Sequence, residues 1–143
     1  MKQFKTAVLL IIACITLCAC PRIEEGHRYT IFVNKSESEI VCQALSWGNI
    51  TNADTLFQCR TGAVGIPANS SHNFSSLDNS GWEADFKLIP YLQFSVMDAE
   101  TYDKYITEPC DTIRKYVPIL HTYRLSLSDL QRMNWTVVYP PEE

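Results

Sequence analysis

Tyr91-Leu92-Gln93-Phe94-Ser95-Val96-Met97 is the clearest strand in this chain. Leu92, Phe94 and Val96 recur with period two, so they share one face of an extended backbone and are expected to meet the core. Pro90 fits just before it, where no ladder hydrogen bond is lost. Segments of the same kind recur upstream. Arg28-Tyr29-Thr30-Ile31-Phe32-Val33 is rich in β-branched and aromatic residues and reads as a first strand, with Tyr29, Ile31 and Val33 on one face. A polar turn, Asn34 to Ser38, leads to a second strand at about 39–45, with Ile40, Cys42 and Ala44 on one face. This pair reads as a β-hairpin. Further strands are expected over 55–60 and 63–66, whereas Asn69-Ser70-Ser71-His72-Asn73 and Asp78-Asn79-Ser80-Gly81 read as loops. Trp82 and Phe86 lie four apart, the spacing of one helical turn.

Downstream of the central strand, residues 98–115 have helix-like spacings broken at Pro109, and 119–125 returns to an extended pattern after Pro118. Ser126 and Ser128 are both cap candidates. Ser128 with Gln131 makes a capping-box pattern for a short helix through Met133. Trp135-Thr136-Val137-Val138-Tyr139 closes the pattern and Pro140-Pro141 stops it. Many short strands separated by turn signals predict a mainly β fold. The expectation is a single β-sandwich, immunoglobulin-like, with short helical insertions near the C-terminus. The globular domain is expected over residues 28–141, with 142–143 as a tail.

The N-terminal segment carries a different signal. Lys2 and Lys5 precede a nearly unbroken apolar run, 7–13, and Leu17-Cys18-Ala19-Cys20 closes the segment. A basic start, an apolar middle and small residues at the end are what the secretory machinery reads. Phe4 to Ala19 is shorter than the roughly 20 apolar residues of a spanning helix. Leu at −3 and Ala at −1 before a Cys resembles the lipobox of bacterial lipoproteins. That resemblance implies a signal peptide over residues 1–19 and a mature chain beginning at Cys20, with lipid on its sulfur and amine. Residues 20–27 then form the lipidated tether. One acyl chain binds a membrane only marginally, whereas two or more hold firmly.

Losing residues 1–19 removes Lys2 and Lys5 from the 12 basic residues and none of the 16 acids, so the mature formal charge is −6. An acidic surface repels phosphate backbones, so no nucleic-acid partner is expected. Cys42, Cys59 and Cys110 remain in the domain. Export favours a disulfide, and an odd count leaves one thiol over. Spacing leaves three pairings open, of which Cys42–Cys59 closes the shortest loop and is favoured. No CxxC or HxxxH spacing is present, so neither a metal nor another cofactor is expected.

The ending Tyr123-Arg124-Leu125-Ser126-Leu127-Ser128-Asp129-Leu130-Gln131-Arg132-Met133-Asn134-Trp135-Thr136-Val137-Val138-Tyr139-Pro140, with Asn34-Lys35-Ser36 and Trp82-Glu83, resembles small, mostly uncharacterised lipoproteins and secreted proteins of Bacteroides and relatives. The resemblance implies organism class and an outer-membrane location. It supplies no catalytic motif. Glu24-Glu25, shortly after Cys20, resembles a surface-export signal of such lipoproteins, so surface display is expected ahead of a periplasm-facing domain. Asp54-Thr55-Leu56 and Asp111-Thr112-Ile113 resemble their O-glycosylation motif, making Thr55 and Thr112 candidate modification sites.

No GxSxG elbow is present. A hydrolase would need a Ser nucleophile or a Cys–His pair drawn from Cys59 or Cys110 with His72 or His121. The leading expectation is therefore a non-enzymatic binding or structural module tethered through Cys20. One alternative is a surface glycan-binding protein that stacks sugars on Trp47, Trp82 and Trp135; the other is the hydrolase with a Cys or Ser nucleophile.

Overall fold

A computed structural model describes residues 26–45, 59, 62–77 and 80–142. Its elements run β1 (Tyr29–Asn34), β2 (Ile40–Leu45), β3 (Ala63–Ile66), β4 (Ser70–Ser75), α1 (Trp82–Asp85) and β5 (Leu92–Asp98). They continue with α2 (Ala99–Tyr105), α3 (Cys110–Tyr116), β6 (Ile119–Leu125), α4 (Leu127–Arg132) and β7 (Thr136–Tyr139). The chain is mainly β, and its strands form two sheets. A three-stranded sheet has the order β4-β1-β7, and a four-stranded sheet the order β3-β2-β5-β6. In the first, β1 pairs antiparallel with β4 and parallel with β7. In the second, every pairing is antiparallel.

The two sheets pack face to face as a β-sandwich. Phe32, Phe74, Phe94, Val96, Tyr123 and Val137 meet in the space between them. Phe32 sits at the centre of an aromatic cluster, with ring centroids 5.2 Å from Phe94, 5.8 Å from Tyr123 and 6.4 Å from Phe74. Such offset and edge-on contacts add to the stabilisation from burial alone. The expected inward sets hold for β2 (Ile40, Cys42, Ala44) and β5 (Leu92, Phe94, Val96).

β1 departs from expectation in two ways. First, β1 and β2 lie in different sheets and form no hairpin. The turn between them crosses from one sheet to the other. Asn34 holds that crossing, because its amide donates to the carbonyls of Ser38, Ile66 and Pro67 at 2.9, 3.0 and 3.1 Å. Second, the face formed by Tyr29, Ile31 and Val33 turns away from the core, and Thr30, Phe32 and Asn34 are the buried set.

Two other expectations change. Ser70–Asn73, part of the stretch 69–73 expected as a loop, instead belongs to β4, an edge strand held mainly by its backbone ladder to β1, with Phe74 as its buried side chain. The cap of α4 is Ser126 rather than Ser128. Ser126 Oγ accepts from the Asp129 backbone, and the Asp129 carboxylate accepts from the Ser126 N–H at 2.9 Å. This reciprocal pairing satisfies two donors that would otherwise be orphaned. Hydrogen bonds from the Ser126 side chain and backbone, then from Arg132, hold the Asp129 carboxyl down at about 2.

The outer side of the four-stranded sheet has its own core. Val41 and Met97 point away from the sandwich interior and pack with Ala99, Tyr102, Ile113 and Val117 of the α2–α3 region. Asp98 caps α2 by accepting from the Thr101 N–H at 2.8 Å. Pro109 stands at the N-cap of α3, the break the sequence pattern indicates. The expected Cys42–Cys59 disulfide is not formed. Cys59 bonds to Cys110 at the start of α3, with Cα atoms 5.6 Å apart. Cys42 is a free thiol sealed between the sheets, and burial pushes its pKa up. Loop length favoured the nearer pair, but the inward face of β2 directs Cys42 into the core.

Candidate functional site

Trp135 and the Trp82-Glu83 pair converge on His27, just ahead of β1. The His27 imidazole Nδ1 lies 2.7 Å from Glu83 Oε1, and the His27 backbone N–H donates to Glu83 Oε2 at 2.7 Å. The Trp82 N–H donates to the His27 carbonyl at 2.9 Å. Above this, the His27 ring stacks on the Trp135 indole, with centroids 4.3 Å apart and planes 16° from parallel. Four contacts thus fix one residue.

Local sequence explains the geometry. The short α1 turn buries Trp82 and leaves Glu83 half-exposed toward His27, while the buried Asp85 carboxylate accepts from the Leu77 N–H at 2.8 Å. Gly81 precedes the turn with φ +89, and a Cβ there would lie 2.7 Å from the Gly26 carbonyl carbon. Only glycine combines that dihedral with so close a backbone approach. On the other side, Asn134 and Trp135 both adopt left-handed φ values, 49 and 58. Two consecutive non-glycine residues in that region store strain that the surroundings must hold. The Trp135 N–H is anchored to the Leu130 carbonyl at 2.8 Å, which delivers the indole beneath His27. Burial acts to raise the Glu83 pKa, but hydrogen bonds from the His27 side chain and backbone outweigh it, and the carboxyl sits below its ordinary value.

Two expected stacking residues are therefore corrected. Trp82 is 1% exposed and belongs to the core; Trp135 is 6% exposed and carries His27 on its ring. Trp47, Thr55 and Cys20 lie outside the described residues, as does the expected strand over 55–60. Thr112 is half-buried in the first turn of α3. Cys59 and Cys110 are joined to each other and offer no thiolate, so neither serves His72 or His121 as a nucleophile. His72 packs against Phe74 at 4.9 Å and His121 against Tyr123 at 4.4 Å.

Grooves mark both seams between the sheets. One, of about 390 Å³, gathers His72, Asn73, Ser75 and Ser76 beside Phe74 and Trp82, whose buried Nε1 has no hydrogen-bond partner among the described residues. The other, of about 440 Å³, is lined by Tyr123, Met133, Thr136, Val138, Pro141 and Glu142. There the Tyr123 hydroxyl donates to the Val138 carbonyl at 2.6 Å, linking β6 to β7. Among the described residues, no group of His, Cys, Asp and Glu is arranged to hold a metal ion, and no helix is long and apolar enough to cross a membrane.

Sequence reasoning missed His27, which it assigned to the tether. The clue available was the pair Gly26 and Gly81, whose close approach brings that segment onto α1. It also missed Tyr105 and Tyr116, stacked at 5.1 Å on α2 and α3 with the Nζ atoms of Lys104 and Lys115 over their rings. No protein-family model, curated protein or solved structure matches the chain.

Proposed function

We propose that this is an outer-membrane lipoprotein, anchored by lipid on Cys20, whose immunoglobulin-like β-sandwich serves as a non-enzymatic binding or structural module. The observation that carries the reading is the clamp on His27. It fixes the chain to the domain seven residues beyond Cys20, so the tether has a defined end. A tethered module needs such a junction if it is to be held at a set distance from its anchor. Two packed sheets of short strands are the support for the immunoglobulin-like type. Glu24-Glu25 favours the cell surface over the periplasm.

The test is to follow the chain and its Cys20→Ala variant in their bacterial host by palmitate labelling and membrane fractionation. The expected result is labelled, membrane-bound protein that becomes unlabelled and soluble on substitution. Equal membrane retention of both forms would sink the anchor. Protease shaving of intact cells then decides the side: loss of the domain means surface display, and survival means a periplasmic face.

A glycan-binding reading finds its support at α2–α3 instead of the tryptophans. The stacked Tyr105 and Tyr116 rings, with Tyr116 48% exposed and basic side chains alongside, form an aromatic patch of the kind that packs against sugars. Binding to immobilised glycans that Tyr116→Ala abolishes would favour it; no binding across the set would count against it.

A further inference from the structure

We propose that the outward face of the β4-β1-β7 sheet is the surface that rests on the lipid bilayer. The inference builds on the Cys20 anchor proposed above and adds which side of the domain meets the membrane. Its origin is the inversion of β1. This strand sends Tyr29 and Ile31, 56% and 38% exposed, away from the core, with Val33 half-buried beside them. Register places Val138 of β7 next to Val33 and extends the apolar stripe across two strands. The corresponding side of the other sheet is covered, since Val41 and Met97 lie under α2 and α3.

Charge separates this face from the rest of the molecule. Across β1 on β4, Ser75, Asn73 and Ser71 pair with Tyr29, Ile31 and Val33, and Thr136 of β7 pairs with Ile31. None is ionisable. Lys35 lies just beyond the end of β1 and is paired with Glu142. A mature chain of charge −6 thus presents a sheet face free of acids on its strands. Acidic surfaces are repelled by anionic headgroups, and a neutral one is not. Tyrosine, with an apolar body and a polar tip, suits the interfacial layer.

The tether identifies the occupant. His27 lies seven positions after Cys20, a reach of at most about 25 Å when fully extended. Because His27 is clamped to Glu83 and Trp135, that reach is measured from the clamp. Tyr29, two residues further on, opens the apolar stripe. The stripe therefore begins beside the point to which the lipid is leashed. A second copy of the chain is the weaker occupant, because the apolar side chains are flanked by Ser, Asn and Thr and lack the continuous apolar centre of a stable dimer interface.

The test uses the full lipidated chain reconstituted on phosphatidylethanolamine–phosphatidylglycerol vesicles, with hydroxyl-radical footprinting read by mass spectrometry and flotation scored in parallel. The expected result is a several-fold loss of Tyr29 reactivity relative to the soluble Cys20→Ala chain, with Tyr116 on α3 unchanged as the internal reference. Ile31→Glu should restore Tyr29 reactivity while the chain still floats; Ile31→Ser, without a new charge, should restore it in part. A chain that floats with Tyr29 as reactive as in solution overturns the docked face and leaves the anchor standing, as does protection that survives Ile31→Glu. A chain that fails to float overturns the anchor and the docking together. Protection of Tyr29 in the Cys20→Ala chain that grows with protein concentration assigns the face to a second copy and overturns the bilayer.

Discussion

The two outward faces of the sandwich are inverted with respect to each other. On the four-stranded sheet, Gln43, Gln93 and Ser95 are fully buried, with the Gln93 amide donating to Ser95 Oγ at 3.3 Å and Arg124 Nε donating to Gln93 Oε1 at 3.1 Å. On the three-stranded sheet, Tyr29 and Ile31 stand in the open. Polar side chains lie under cover while apolar ones do not. The lesson is that burial follows which face other elements cover, and strand patterning alone does not decide it. Buried polar groups are tolerated where hydrogen bonds satisfy them. Exposed apolar ones mark an interaction surface where they form a contiguous patch.

The largest way to break this contrast is to release the cover. A Cys59→Ser/Cys110→Ser chain loses a crosslink between residues 51 apart in sequence, which by loop-closure entropy costs about 4 kcal/mol. Urea unfolding of the two forms checks it, and a difference near zero would mean that the disulfide does not hold α3 in place. Next comes a paired substitution. Met97→Ala, beneath the helices, should cost about 3 kcal/mol, whereas Ile31→Ala on the open face should cost less than about 0.5 kcal/mol. Equal costs would show that the two faces are covered alike. Smaller again is His27→Ala, where an exposed hydrogen bond and one ring stack together are worth about 1 kcal/mol. Its sharper readout is a red-shifted tryptophan emission as Trp135 is uncovered.

The finest distinction is one of pH. Asp129 titrates at about 2 in the fold against an ordinary 3.8. A depressed carboxyl stabilises the fold above its unfolded pKa, and that contribution fades as pH falls through the folded value. The wild-type chain should therefore exceed Asp129→Asn in stability at neutral pH, with the gap closing between pH 4 and 2. Acid titration followed by circular dichroism checks the window. A gap that persists at pH 2 would mean that the cap does not act through the ionised carboxylate.

Strands were legible where inward residues alternate cleanly, as in β2 and β5, because period two is a direct imprint of a covered face. β4 was not, since Ser70–Ser75 holds its place mainly through backbone bonds to β1 and only Phe74 is buried. The β1–β2 turn has the composition of a hairpin. What makes it a crossing is the Asn34 amide reaching carbonyls 32 and 33 residues away, and nothing local encodes that. The disulfide was misassigned because loop length says nothing of side-chain direction. At the site, Trp82 and Trp135 were visible as tryptophans, but their burial depends on α1, α4 and the His27 clamp. The lipobox resemblance at residues 17–20 rests on sequence alone and lies outside the described residues.

The parallel seam between β1 and β7 has a mechanical consequence. β1 is the middle strand of its sheet, and residues 26–28 lead into its N-terminal end. A pull on the chain ahead of Gly26, of the kind the proposed lipid anchor would transmit, loads the His27 clamp and draws β1 lengthwise between β4 and β7. The bonds to both neighbours run across that direction, so they are loaded together in shear instead of opening one by one. The strand that follows the proposed anchor is thus the one set to resist force.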